Sequence, residues 1–177
     1  LLSRGARVDT KNYQGFTPLL SAAQRGPTEV CKLLLETGKA NVKETTPDGG
    51  TSLLLAAQRG HTEVCELLLA NGSDLEERQP GTLDTALHFA AVFGHQSLLE
   101  LLLSHKADVN SRTRIGFTPL HLASQEGHLA SVVALLQAGA DPLLPARDGA
   151  FPIHLAAQRN HPEVVRILIE QGGCSID

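Results

Sequence analysis

The chain has 177 residues, of which 42% are apolar and 19% charged, and a formal net charge of -4; it can bury a core, and it lacks the overall basic surface that phosphate contact needs. No apolar run approaches the roughly 20 residues that cross a bilayer, and no basic, apolar and cleavable leader opens the chain, so a soluble protein of the cytoplasm or nucleus is expected. Aromatics make up only 3%, and Trp and Met are absent; the core is expected to be thin and aliphatic, and the missing Met points to an excerpt of a longer chain.

In chain order, five pairs of apolar blocks follow one another. TPLLSAAQRG from Thr17 precedes PTEVCKLLLETG from Pro27, and TSLLLAAQRG from Thr51 precedes HTEVCELLLANG from His61. TALHFAAVFG from Thr85 leads to HQSLLELLLSHK from His95, and TPLHLASQEG from Thr118 leads to HLASVVALLQAG from His128. FPIHLAAQRN from Phe151 and HPEVVRILIEQG from His161 close the series, the starts lying 34, 34, 33 and 33 residues apart. A fixed period of this length is the mark of a repeat architecture.

Each pair is predicted to be helix, turn and helix. Thr supplies an N-cap oxygen, and Pro18, Pro119 and Pro152 take the first helical position, where a missing N–H costs nothing. Gly26, Gly60, Gly94, Gly127 and Asn160 share the slot after the first helix where positive φ is expected. Second helices carry apolar residues at i, i+3 and i+4, such as Val64, Leu67 and Leu68, with Glu63 and Glu66 turned elsewhere. One unit cannot cover both apolar faces, so neighbours must stack.

The block TPLHLASQEGH from Thr118, with GADP from Gly139 and ADVN from Ala107, resembles the ankyrin repeat. The resemblance implies an all-α repeat solenoid of stacked helix pairs with β-turn fingers, and a concave surface that binds other proteins. Residues 1–10 look like the tail of a preceding unit, followed by units at 11–43, 44–77, 78–110, 111–143 and 144–177. Neither end shows a charged capping unit, so further repeats or domains are expected beyond this segment.

The histidines follow the period: His88, His121 and His154 occupy the TPLH position, while His61, His95, His128 and His161 open second helices, which assigns seven of the eight to hydrogen bonding between helices and fingers. No metal-ligand spacing, phosphate loop or nucleophile elbow exists, so no metal, cofactor or catalytic residue is expected. Cys31 and Cys65 share one slot of adjacent units and are expected in the helix interface; with Cys174 the count is odd, against a disulfide framework.

By resemblance, the concave face is lined by the last two residues before the glycine of each first helix and by the fingers. The first set holds Gln24 and Arg25, Gln58 and Arg59, Val92 and Phe93, Gln125 and Glu126, and Gln158 and Arg159. The finger set holds Tyr13, Gln14 and Phe16, then Pro47 and Asp48, then Arg114, Ile115 and Phe117, then Arg147 and Asp148. Arg25 and Arg59 are expected side by side, with acidic residues such as Glu29, Glu63, Glu100 and Glu163 on the convex side. Arginine and aromatic side chains are enriched in binding hot spots, so the expected partner is a protein or peptide segment with acidic groups for Arg25, Arg59, Arg147 and Arg159 and an apolar anchor near Phe93 and Phe117. Two other readings stand beside it: a regulatory or targeting array of a larger enzyme, ligase adaptor or channel, and a plain structural spacer.

Departures from the pattern are local. Leu20 and Leu54 replace the TPLH histidine, Phe151 replaces the capping Thr, and Lys106 stands where a glycine is usual, with strain expected if its φ is positive. The finger from Glu76 to Asp84 fits the pattern poorly. LLSHKADVN, ending at Asn110, resembles the ankyrin-repeat sequence hydroxylated by the asparaginyl hydroxylase called factor inhibiting HIF. Asn110 is therefore a candidate modification site, with a structural bridge between finger turns as the alternative.

Overall fold

Ten helices form among the residues that the computed structural model describes, 7–37, 39–171 and 173. They are α1 (Pro18–Arg25), α2 (Thr28–Glu36), α3 (Ser52–Arg59), α4 (Thr62–Ala70), α5 (Ala86–Phe93), α6 (Gln96–Ser104), α7 (Pro119–Glu126), α8 (Leu129–Gln137), α9 (Pro152–Gln158) and α10 (Pro162–Glu170). The odd-numbered helices pack on one another in one layer and the even-numbered ones in a second. Residues 1–6 and Cys174 lie outside the described residues.

The first helices approach closely because Ala22, Ala23, Ala56, Ala57, Ala90, Ala91, Ala123 and Ala156 line their contacts. The second helices meet through larger side chains, Val64, Leu68, Leu98, Leu102, Val132, Leu135, Val164 and Leu168. The side chains between first helices are thus smaller than those between second helices. The expected thin aliphatic core is what forms.

The punctuation falls where the period puts it. Thr17 Oγ1 accepts from Leu20 N–H at 3.3 Å, and Thr51 Oγ1 does the same from Leu54 N–H. Gly26, Gly60, Gly94 and Gly127 end their helices at φ between +67° and +88°, and Asn160 holds +59°. A second constraint acts on these glycines: a Cβ at any of the four would lie 2.4–2.7 Å from the imidazole of the next unit's histidine, His61, His95, His128 or His161.

Those four rings lie against the turn of the preceding unit, and Nε2–H donates to a carbonyl at the end of its first helix. The bonds run from His61 to Gln24 O at 3.3 Å, from His95 to Gln58 O at 3.3 Å, from His128 to Val92 O at 3.2 Å and from His161 to Gln125 O at 3.0 Å. These histidines thus join helix to helix. His88 and His121 join helix to finger: Nδ1 accepts from the backbone N–H of Thr85 or Thr118, which leaves Nε2–H to donate to Phe117 O or Ala150 O. Leu20 and Leu54, in the same slot, fill it with buried apolar volume instead.

Two departures resolve simply. Phe151 cannot cap with oxygen, but its N–H donates to His154 Nδ1 at 3.0 Å and its ring lies 5.5 Å from that imidazole. Lys106 adopts φ +65°, in the slot where Gly72 and Gly139 stand at +87° and +90°, so the expected strain is present and its side chain is exposed.

The fingers are tight turns closed by a bond across their base, as from Thr46 N to Gly50 O and from Thr113 N to Phe117 O. Asp74 to Thr85 holds one residue more than the equivalent stretches Asp108 to Thr118 and Asp141 to Phe151. The finger there closes wider, from Gln79 N to Asp84 O, and Leu83 takes φ +66° in the slot that glycine holds in the other four fingers. That insertion is why the stretch from Glu76 to Asp84 fits the repeat poorly.

Candidate functional site

The groove between first helices and fingers has a floor set by helical period. In α3, Ser52, Leu53, Leu54, Ala56 and Ala57 are buried, whereas Leu55, Gln58 and Arg59 share the remaining stripe. The same geometry presents Phe89 with Val92 and Phe93 on α5, and Leu122 with Gln125 and Glu126 on α7. Leu55, Phe89 and Leu122 are half-buried, apolar groups in a wall that water reaches. Sequence reasoning passed over these three, although each stands four residues after its capping Thr and three before a residue assigned to the surface.

Three depressions lie along this groove. One of about 390 Å³ is lined by Gln58, Arg59, Phe93 and His95; Phe93 is 49% exposed, with its ring 5.9 Å from that of His95. A second, of about 350 Å³, sits between the third and fourth fingers, lined by Gly81, Thr82, Asp84, Thr113, Arg114, Ile115, Phe117 and Leu122. Ile115 and Phe117, with Arg114, Arg147 and Asp148, continue it toward the fifth finger. The third, of about 260 Å³, lies between the second and third fingers over Leu55 and Phe89, with Asp48 and Asp84 on its walls.

The residues singled out from sequence therefore fall into groups. Arg59 comes together with Phe93, and Arg114, Ile115, Phe117 and Arg147 come together on the fingers. Phe117 is partly occupied by structure, its ring stacked 5.3 Å from that of His121, and Phe16 is half-buried. Arg25 and Arg59 occupy equivalent ends of neighbouring helices α1 and α3, both exposed. Tyr13 and Arg159 are exposed toward the two ends of the array, and Val92, half-buried, gives its carbonyl to His128. Glu29, Glu63, Glu66, Glu100, Glu163 and Glu170 are all exposed on second helices, away from the groove.

Asn110 bridges two units. Its Oδ1 accepts from Asp141 N–H at 2.9 Å and its Nδ2–H donates to Gly139 O at 3.4 Å. Glu76, in the equivalent slot, accepts from Asp108 N–H at 2.8 Å, so this position ties finger bases together wherever an acceptor occupies it.

Burial pushes the Cys65 thiol up to about 12, and it raises Cys31 as well, so neither is a ready nucleophile. Among the described residues, no three His, Cys, Asp or Glu side chains gather in metal-binding geometry, and no helix is long and apolar enough to cross a membrane.

A family model described as ankyrin repeats in three copies matches residues 1–79 and 76–146, and a single ankyrin repeat matches 148–177. No curated protein gives a match to the chain.

Proposed function

Because the chain belongs to the ankyrin-repeat family, whose arrays are in general non-catalytic protein-interaction modules, we propose that it binds a segment of a partner protein in the groove between first helices and fingers. The five units at 11–43, 44–77, 78–110, 111–143 and 144–177 act as one reading surface, without cofactor, in the cytoplasm or nucleus. The observation that carries this is the exposed Phe93 beside Arg59 in one depression, together with the Ile115 and Phe117 depression between the third and fourth fingers. Single exposed apolar side chains are ordinary, but contiguous ones mark interaction sites, and Ile115, Phe117 and Leu122 line one depression together. Arg25 and Arg59 meet acidic groups of the partner, Arg114 and Arg147 do so along the fingers, and the apolar anchor sits near Phe93 and Phe117.

The test is a peptide-library selection against the wild-type chain and an Arg25→Glu, Arg59→Glu, Phe93→Ala variant whose melting curve matches it. These residues are exposed and carry little of the fold, so the variant is expected to stay folded and to lose enrichment of acidic and apolar segments. Equal enrichment by both proteins would move the function off this groove. A regulatory array within a larger enzyme, adaptor or channel would use the same surface, with the active part elsewhere.

Asn110 is the proposed hydroxylation site, on the strength of its sequence surroundings. Its amide already holds two bonds across the unit boundary, so hydroxylation would act on the joint between fingers. Mass spectrometry after co-expression with the hydroxylase should find a one-oxygen increment on the Asn110 peptide; an unchanged mass would leave the residue a bridge only.

A further inference from the structure

The groove is not uniform in charge along its length. Asp48 and Asp84 face the depression between the second and third fingers, while Arg114 and Arg147 stand on the next two fingers. Among the described residues neither Asp48 nor Asp84 forms an ion pair. Arg78, on the same finger as Asp84, donates instead to Arg112 O at 3.0 Å. The floor beneath the two carboxylates is Leu55 and the ring of Phe89.

Resting on the groove reading above, we infer that this depression takes a Lys or Arg side chain of the bound segment. A long basic side chain is apolar along its stem and charged at its tip. Its stem fits the Leu55 and Phe89 floor, its charge can lie over the aromatic face, and its donors reach two carboxylates that have no cation of their own. An acidic side chain would meet like charge on two walls, and an uncharged one would leave Asp48 with only its bond from the Thr46 hydroxyl and both carboxylates without a countercharge as they lose water.

Geometry then sets a spacing. Asp84 borders both this depression and the neighbouring apolar one at Ile115, Phe117 and Leu122, so the two sites are one unit apart. Stacked units are separated by about 10 Å, and an extended chain advances about 3.3 Å per residue. The segment therefore carries its basic residue about three positions from a large apolar one, with the acidic groups for Arg114 and Arg147 on the far side of the apolar anchor. The wide third finger matters here, because its extra residue and the strained Leu83 set where Asp84 stands, one position before the helix cap.

The experiment is a peptide selection run in parallel on the wild-type chain, an Asp48→Asn, Asp84→Asn variant, and a Phe117→Ala variant, each first checked for an unchanged helical spectrum. Wild type should enrich segments with Lys or Arg about three residues from an apolar residue. The double Asn variant should keep the apolar preference and lose the basic one, and a basic peptide should bind it at least about tenfold more weakly, since hydrogen bonds to charged groups contribute about 1.5–3 kcal/mol. Enrichment without a basic residue, or a basic preference that survives the double substitution, overturns the inference; in either case loss of binding on Phe117→Ala keeps the groove reading intact. No enrichment by the wild-type chain overturns both.

Discussion

Gly127→Ala is expected to remove about 3 kcal/mol of stability, a far larger loss than a glycine substitution at an exposed helix end usually brings. Two effects add at this site. An L-residue in the left-handed region costs about 1–2 kcal/mol, and Gly127 sits at φ +75°. The new Cβ would also stand 2.4 Å from His161 Nδ1 and 2.5 Å from its Cε1. The ring is held in place by its bond to Gln125 O, so relief means breaking that joint, and overpacking of this kind costs about 1–3 kcal/mol. Gly139→Ala is the control, because Gly139 has φ +90° but nothing within 4 Å of its would-be Cβ. Urea unfolding followed by circular dichroism should place Gly139→Ala at about a third to two thirds of the Gly127→Ala loss; equal losses would mean that the overlap with the His161 ring costs nothing.

Acid should unfasten the centre of the array before its first two units. His121 is fully buried, and burial, opposed by its bond to Ala150 O, pushes its pKa down to about 4; His88 is lowered for the same reason. Each folded value lies below the value near 6.5 of an unfolded histidine. Below that pH the unfolded chain takes up protons that the folded chain refuses, so the stabilisation is complete above pH 6.5 and is lost as the pH falls toward 4. Between pH 7 and pH 5 the loss at His121 alone is about 2 kcal/mol, since each tenfold rise in proton concentration below pH 6.5 favours the unfolded chain by about 1.4 kcal/mol. A protonated Nδ1 also could not accept from Thr118 N–H. His121→Leu copies the residue that nature places at Leu20 and Leu54; it should lower stability at pH 7 and flatten the dependence between pH 7 and pH 5. An unchanged slope in that variant would show that other groups carry the titration.

Most of the scaffold was legible because it depends on contacts within a short stretch of chain. A Thr that caps its own helix, or a glycine that must take positive φ, leaves a residue type at a fixed place, and Thr17, Thr51, Gly26 and Asn160 could be read directly. The seven periodic histidines were legible as structural, but not the carbonyls that six of them hold, since these belong to another unit: 36 or 37 residues away for the four that open second helices, and 29 for His88 and His121. The groove was half legible. Arg59 and Phe93 were found by their place before the glycine, whereas Leu55, Phe89 and Leu122 look like core leucines and a core phenylalanine until the helical stripe is drawn. Asp84 was out of reach for a different reason: one inserted residue shifts its finger out of register, and a pattern copied from neighbouring units says nothing about where an insertion puts a side chain.

The bond between each imidazole and the carbonyl behind it bears on how such a chain can grow. A unit brings a socket at one side, made of a glycine and an open carbonyl, and a plug at the other, made of a histidine. The two halves are consecutive in the chain, as at Gly60 and His61, so any copy bearing both can be duplicated, deleted or shuffled and still join its new neighbours. The joint therefore travels as one short piece of sequence, and the groove can lengthen or change its lettering without the joints being reinvented.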